Sequence, residues 1–87
     1  MLNKRLTKSL YTKEWEVLLE LLRDLREAQG WTQEQFAKKL GRPQSTVSKI
    51  EAGERKLDVC HFVDYLRILN ADPVAAMRRL MKAIQKR

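Results

Sequence analysis

The chain is short of almost everything that catalytic and cofactor chemistry uses. Its 87 residues contain one cysteine and one histidine, and these are neighbours, Cys60 and His61. A single cysteine cannot close an intramolecular disulfide, so nothing calls for an oxidising compartment. Two adjacent side chains do not complete a metal site, and buried or half-buried packing is the expected role of both. Without a second histidine the carboxylates, scattered over helix surfaces, find no partner for a nucleophile–base pair, which argues against an enzyme. The 3 glycines are dispersed, so there is no glycine-rich phosphate loop and no cofactor is expected. No apolar run approaches membrane-spanning length, and the N-terminus lacks the apolar core of a signal peptide. The expectation is a cytoplasmic protein with no membrane partner. There is no internal repeat and no low-complexity segment. A chain of this length has room for one small domain with a modest core.

What is present is positive charge: 18 Lys and Arg against 11 Asp and Glu give a net +7, which favours an anionic partner. Its distribution matters more than its total. Residues 1–13 hold Lys4, Arg5, Lys8 and Lys13 with no acid, and residues 73–87 hold Arg78, Arg79, Lys82, Lys86 and Arg87 with no acid. The middle carries every acidic residue and is slightly negative. Within it, the stretch Gln35 to Ile50 contains Lys38, Lys39, Arg42 and Lys49 and no acid. That local stripe coincides with the most informative part of the chain.

Thr32 to Gly53, TQEQFAKKLGRPQSTVSKIEAG, reads as two short helices joined by a tight turn. Thr32 and Gln35 have the spacing of a capping box, in which the hydroxyl and the amide satisfy each other's backbone N–H groups. Gly41 follows the last apolar residue and suits the left-handed position that ends a helix. Pro43 sets φ where a second helix begins, and that helix runs to about Ala52 before Gly53. Phe36, Ala37 and Leu40 share one face of the first helix; Val47 and Ile50 share one face of the second. The opposite face of the second helix presents Gln44, Ser45, Ser48 and Lys49. It has nothing to bury and is rich in groups that can hydrogen-bond a base edge.

These residues resemble the Cro and phage-repressor type of helix-turn-helix DNA-binding domain, the Xre-like family. The likeness runs from about Leu22 to Leu69 and includes TQEQFAKKLG, the turn and STVSKIEAGERKLD. Pro43 departs from it, since many members have Ser or Thr as the helix cap. The resemblance implies an all-α, five-helix, lambda-repressor-like fold with the helix-turn-helix at helices 2 and 3. It also implies an ion pair between Arg26 and Glu51, tying the first helix to the end of the recognition helix. Gln33 corresponds to a family glutamine that bonds a phosphate and braces the recognition residue. The Gln44-Ser45 pair resembles the opening of the recognition helix in lambda-type repressors, where the glutamine reads adenine. Arg55 and Lys56 fall where the family commonly meets phosphate.

Around this motif the chain divides into a basic arm over residues 1–11, a helix-turn-helix domain over 12–70, and a C-terminal helix over 71–87. The arm either follows the phosphate backbone or is a solvated end. Thr12 caps a helix from Lys13 to about Gln29, closed by Gly30. Trp15, Leu18, Leu19, Leu22 and Leu25 form its buried stripe, and Val17 and Leu21 widen that stripe toward a second apolar neighbour. Glu16, Glu20 and Asp24 make an exposed acidic edge. Asp58 caps a fourth helix, Val59 to Leu69, with Phe62, Val63, Leu66 and Leu69 at core spacing. Asp72 caps the fifth, with Pro73 at its first position. There Val74, Met77, Leu80, Met81 and Ile84 recur at three-to-four spacing among basic residues. This helix closes the core, forms a dimer seam, or meets an acidic partner or membrane surface; a shared role in core and dimer is expected.

The function expected is sequence-selective binding of double-stranded DNA with the second helix of the pair, residues 44–52, in the major groove. Lys38, Arg42, Lys49, Arg55 and Lys56 would meet phosphates, so affinity should fall steeply with salt. Gln44 could pair with adenine, Lys49 could reach guanine, and Ser45 and Ser48 are shorter, adaptable readers; Thr46 is counted with them among the DNA-binding residues. One helix reads too few base pairs to find an operator, which leads to a two-fold homodimer. Repression by promoter occupancy is the simplest mechanism. The competing reading is a protein-interaction module of the same fold, such as an antitoxin holding a toxin or a bridging adaptor.

Overall fold

A computed structural model of the chain describes residues 12–85. The expected arm, 1–11, lies outside the described residues. Five helices follow in order: α1 (Lys13–Ala28), α2 (Gln33–Leu40), α3 (Gln44–Glu51), α4 (Val59–Ile68) and α5 (Pro73–Gln85). There is no strand among the described residues.

The caps act where the sequence puts them. Thr12 accepts from the Trp15 N–H at 3.1 Å, and Asp58 from the His61 N–H at 2.8 Å. Asp72 accepts from the Val74 N–H at 3.0 Å. At α2 both halves of the capping box are made: Gln35 N–H to the Thr32 hydroxyl at 3.1 Å, and Thr32 N–H to the Gln35 amide oxygen at 2.9 Å. Trp31, just before the cap, stacks on Phe36 with ring centroids 6.3 Å apart. That contact is a hydrophobic staple, and it sets the angle at which the chain enters α2.

The helix ends share one device. After α2 the Arg42 N–H reaches Ala37 O at 3.0 Å while the Gly41 N–H reaches Lys38 O at 3.1 Å. This pair of bonds needs a left-handed residue, and Gly41 has φ 72°. The same pair closes α4 through Asn70 at φ 61°, a non-glycine residue whose short amide side chain tolerates that region. Both endings turn the chain sharply enough for the next helix to cross the last.

The core gathers at those crossings. Helix α1 packs against both α3 and α5, α2 against α3 and α4, and α4 against α5. Leu22, Phe36, Val47, Leu66 and Leu69 are sealed at its centre. Phe36 meets Tyr65 edge to face, with centroids 5.0 Å apart, which couples the helix-turn-helix to α4. Ala37 is buried at the α2–α3 crossing, where a small side chain lets the axes approach. Leu21 is buried, and α5 is the second apolar neighbour that the wide stripe on α1 called for.

Three expectations change here. Cys60 is exposed, because the first turn of α4 projects beyond the core, while His61 is half-buried as expected. The acidic edge of α1 is not wholly repulsive: Asp24 accepts from Arg79 of α5 at 2.6 Å. The apolar positions of α5 split into two groups. Ala76 is buried and Leu80 and Ile84 half-buried against the core, whereas Val74, Met77 and Met81 face out at 59%, 44% and 46% exposure. At 100° per residue the five span an arc of about 120°, so the edge with Leu80 and Ile84 meets the core while the edge with Val74, Met77 and Met81 stays outside.

Candidate nucleic-acid interface

The outer face of α3 begins with Pro43, whose fixed ring leads into the helix but supplies no capping hydrogen bond. The first turn also contains no acidic residue. The N-terminal pole of this helix is therefore not neutralised by its own side chains, which favours an anion there. Gln44, Ser45 and Lys49 are exposed and Ser48 is half-exposed on the same side. Beneath them Val47 and Ile50 are fully buried, so the outward groups stand on a fixed base.

Thr46 does not belong with them. It is buried, at 7% exposure, because its position falls between the outward row and the core-facing pair. Its side chain does not extend from the face, and it is removed from the set of base-reading residues.

The orientation of α3 comes from Glu51 at its C-terminal end. The Glu51 side chain is buried and its carboxylate is surrounded by donors. Arg26 approaches side-on, with Nε 2.6 Å from one oxygen and Nη2 3.0 Å from the other. Its remaining terminal nitrogen, Nη1, donates to the Trp31 carbonyl at 2.7 Å. The Glu51 hydrogen bond, with the nearby negative charge, raises the Arg26 pKa above its ordinary value against the opposing pull of burial. The Arg26 guanidinium is thereby held in its charged form. Breaking the pair would leave a buried charge without a partner.

Gln33 completes this cluster and so changes role. Its amide nitrogen donates to Glu51 Oε1 at 2.9 Å, and the side chain is half-buried. One of its two N–H groups is thus engaged inside the protein. What remains at the surface is the second N–H and the amide oxygen, held in an orientation dictated by Glu51. Gln33 is a brace first, with a single N–H left for a phosphate.

The cations are unequal as well. Lys38, Lys49, Arg55 and Lys56 are exposed, and Arg42 is half-buried at the turn. Lys39 lies over the Trp31 ring, 4.7 Å from its centroid, so part of its charge is engaged by the aromatic face. No group of three or more metal-ligating side chains forms among the described residues. No described helix is long and apolar enough to cross a membrane.

Sequence reasoning overlooked three residues that shape this surface. Arg23, one turn before Arg26, donates to the main-chain carbonyl of Glu51 at 3.1 Å; the i, i+3 spacing was the available signal. Trp31 at the residue before a capping threonine, with an aromatic four positions into the helix, was a readable staple. Tyr65 lies three residues after Phe62 and is buried at 2% exposure beneath the helix pair.

The comparisons with known proteins agree with this geometry. A family model described as a helix-turn-helix domain matches residues 17–82. An XRE-family like protein from Pseudomonas syringae superposes with a TM-score of 0.79 at 43% identity, covering 91% of this chain and 96% of that one. The restriction-modification controller protein C.Esp1396I superposes with a TM-score of 0.76 at 23% identity, covering 84% of this chain and 94% of that one, a likeness of fold. An uncharacterised HTH-type transcriptional regulator, y4dL of Sinorhizobium fredii, is 36% identical over 70 residues. Those residues are 80% of this chain but only 36% of that regulator, so the chain spans about a third of its curated relative. With the α2 capping box, the turn glycine, the buried Arg26–Glu51 pair and the exposed polar face in place, the chain belongs to the Xre-like helix-turn-helix family of DNA-binding domains.

Proposed function

We propose that the chain binds double-stranded DNA sequence-selectively as a homodimer and represses transcription in the cytoplasm by occupying a promoter. The observation that carries this reading is the outer face of α3. It is polar and exposed, stands on a buried base, and its helix begins without an acidic residue or a side-chain cap. A short helix of this kind fits the major groove with its first residues toward the bases. Gln44 then pairs with adenine through its amide, and Lys49 reaches a guanine edge. Ser45 and Ser48 adapt to what lies between. Lys38, Arg42, Arg55, Lys56 and the free N–H of Gln33 meet phosphates, which fix register without reading sequence.

A second copy supplies the other half-site. Two recognition helices about 34 Å apart would match one turn of duplex. The outward row Val74, Met77 and Met81 on α5 supports this seam, since three large apolar side chains lie open on one side of a helix. Leu80 and Ile84 contribute from beneath rather than across it.

Selection of bound fragments from random duplex, followed by binding at several salt concentrations, tests the reading. The expected result is a near-palindromic site with affinity that falls steeply as salt rises. Binding that is absent, or that selects no sequence at any salt, refutes it. A bridging adaptor that does not touch DNA would instead show no salt-dependent duplex binding and would bring a co-purifying partner.

A further inference from the structure

Glu51 is held at two chemically different points, and only one of them is the ion pair already described. Arg26 takes the carboxylate. Arg23 takes the main chain: its Nη2 donates to the Glu51 carbonyl oxygen at 3.1 Å, while its Nε lies 3.9 Å from Glu51 Oε1. The carbonyl belongs to the last turn of α3, where helix geometry provides no internal partner. The Arg23 guanidinium therefore faces the negative pole of the recognition helix as well as its terminal carboxylate.

The two grips constrain different motions. A carboxylate gripped alone is joined to its helix by rotatable side-chain bonds, so the helix can tilt while the ion pair stays intact. A bond to the main-chain carbonyl removes that freedom, because the carbonyl moves with the helix axis. Gln44 lies at the opposite end of α3, about 10 Å away at 1.5 Å per residue. A tilt of about 6° at Glu51 would displace Gln44 by about 1 Å, enough to break a bidentate hydrogen bond.

We propose that Arg23 is a positioning residue for DNA recognition, which sets the tilt of α3 and hence the placement of Gln44 without itself touching DNA. The inference rests on the reading that α3 enters the major groove. Although Arg23 is a half-exposed cation, its side chain at 46% exposure, the hydrogen bond it makes is to Glu51, which separates it from a cation that serves only a phosphate.

The experiment first selects an operator with the wild-type chain. It then compares wild type, Arg23→Gln and Arg23→Lys for binding to the operator and to variants changed at the base pair that Gln44 reads, over a range of salt. For Arg23→Gln the discrimination between operator and variant falls about fivefold to tenfold, the lower end of what one bidentate contact contributes. Affinity for unrelated duplex and the slope of log K against log salt stay at wild-type values. Arg23→Lys keeps the charge and one donor, and its discrimination falls between the two; it carries the test if the glutamine variant does not fold. A role in stability alone would lower the melting temperature and leave discrimination unchanged, which would overturn the assignment. A slope reduced by about 0.9, the signature of one lost phosphate contact, would overturn it too. Should the wild-type chain select no sequence, the groove reading itself fails, a result separate from either of these.

Discussion

Two helices turn a face to solvent in this molecule, and the faces are opposites. That of α3 is polar from end to end, over an interior anchored by Val47, Ile50 and a buried ion pair. That of α5 is apolar along Val74, Met77 and Met81, with Arg78 and Lys82 beside it, and one exposed ion pair, Arg79–Asp24, braces the helix. The first face is content in water and offers hydrogen bonds that a groove can take up. The second is uncomfortable in water and offers area that another apolar surface can cover. The comparison separates what a surface can read from what it can stick to.

The sharpest way to break it is to release α3 from beneath. Glu51→Ala leaves Arg26 buried without its partner, and denaturant unfolding should show a loss of about 3–5 kcal/mol. A smaller effect belongs to the reading face. Gln44→Ala should remove about 1–3 kcal/mol of discrimination at one base pair, measured by competition against single-base variants. Arg55→Ala should weaken all duplexes alike; equal losses in both variants would show that the face does not read bases.

On α5 the fold should hardly notice a change that the proposed dimer would not survive. Joint replacement of Met77 and Met81 by glutamate should leave monomer stability within about 0.5 kcal/mol, as exposed positions do. Sedimentation at micromolar concentration should then find monomers where the parent chain gives dimers. A parent chain that is monomeric even on operator DNA would remove the seam from the comparison.

The smallest expected effect lies under the helix pair. The Tyr65 hydroxyl is buried without a hydrogen-bond partner among the described residues. Burial pushes its pKa from 10.0 up to about 12. The unfolded chain therefore loses this proton first, so the contribution to stability is whole below pH 10 and disappears as pH rises to about 12. Tyr65→Phe should be neutral or stabilising by up to about 1 kcal/mol, since it removes a desolvated group that has no hydrogen-bond partner among the described residues. Thermal melts at pH 8 and pH 11 should differ less for the variant than for the parent.

Much of this was legible along the chain because it depends on neighbours. Thr32 with Gln35, Asp58 before α4, Asp72 before Pro73 and Gly41 after α2 each act within a few residues, where spacing alone sets geometry. The core faces of α2 and α3 were legible for the same reason, since helical period decides which side chains point together. On α5 periodicity placed five apolar residues on one broad arc, but it could not say which edge of that arc the neighbouring helices would cover. At Thr46 the period was the better guide, since it left this residue off the outward row and nearer to Ile50, where it is buried.

The amino-acid sequence alone determined the helices, their caps and the polar character of the face on α3, all of which follow from contacts within a turn or two. Only the tertiary structure decided that Gln33 turns its amide inward to Glu51, that Arg23 holds the carbonyl of the same residue, and that α5 divides its apolar side chains between core and solvent. Those arrangements join groups 18, 28 and more residues apart in sequence. Local spacing carries no information about which helices will cross.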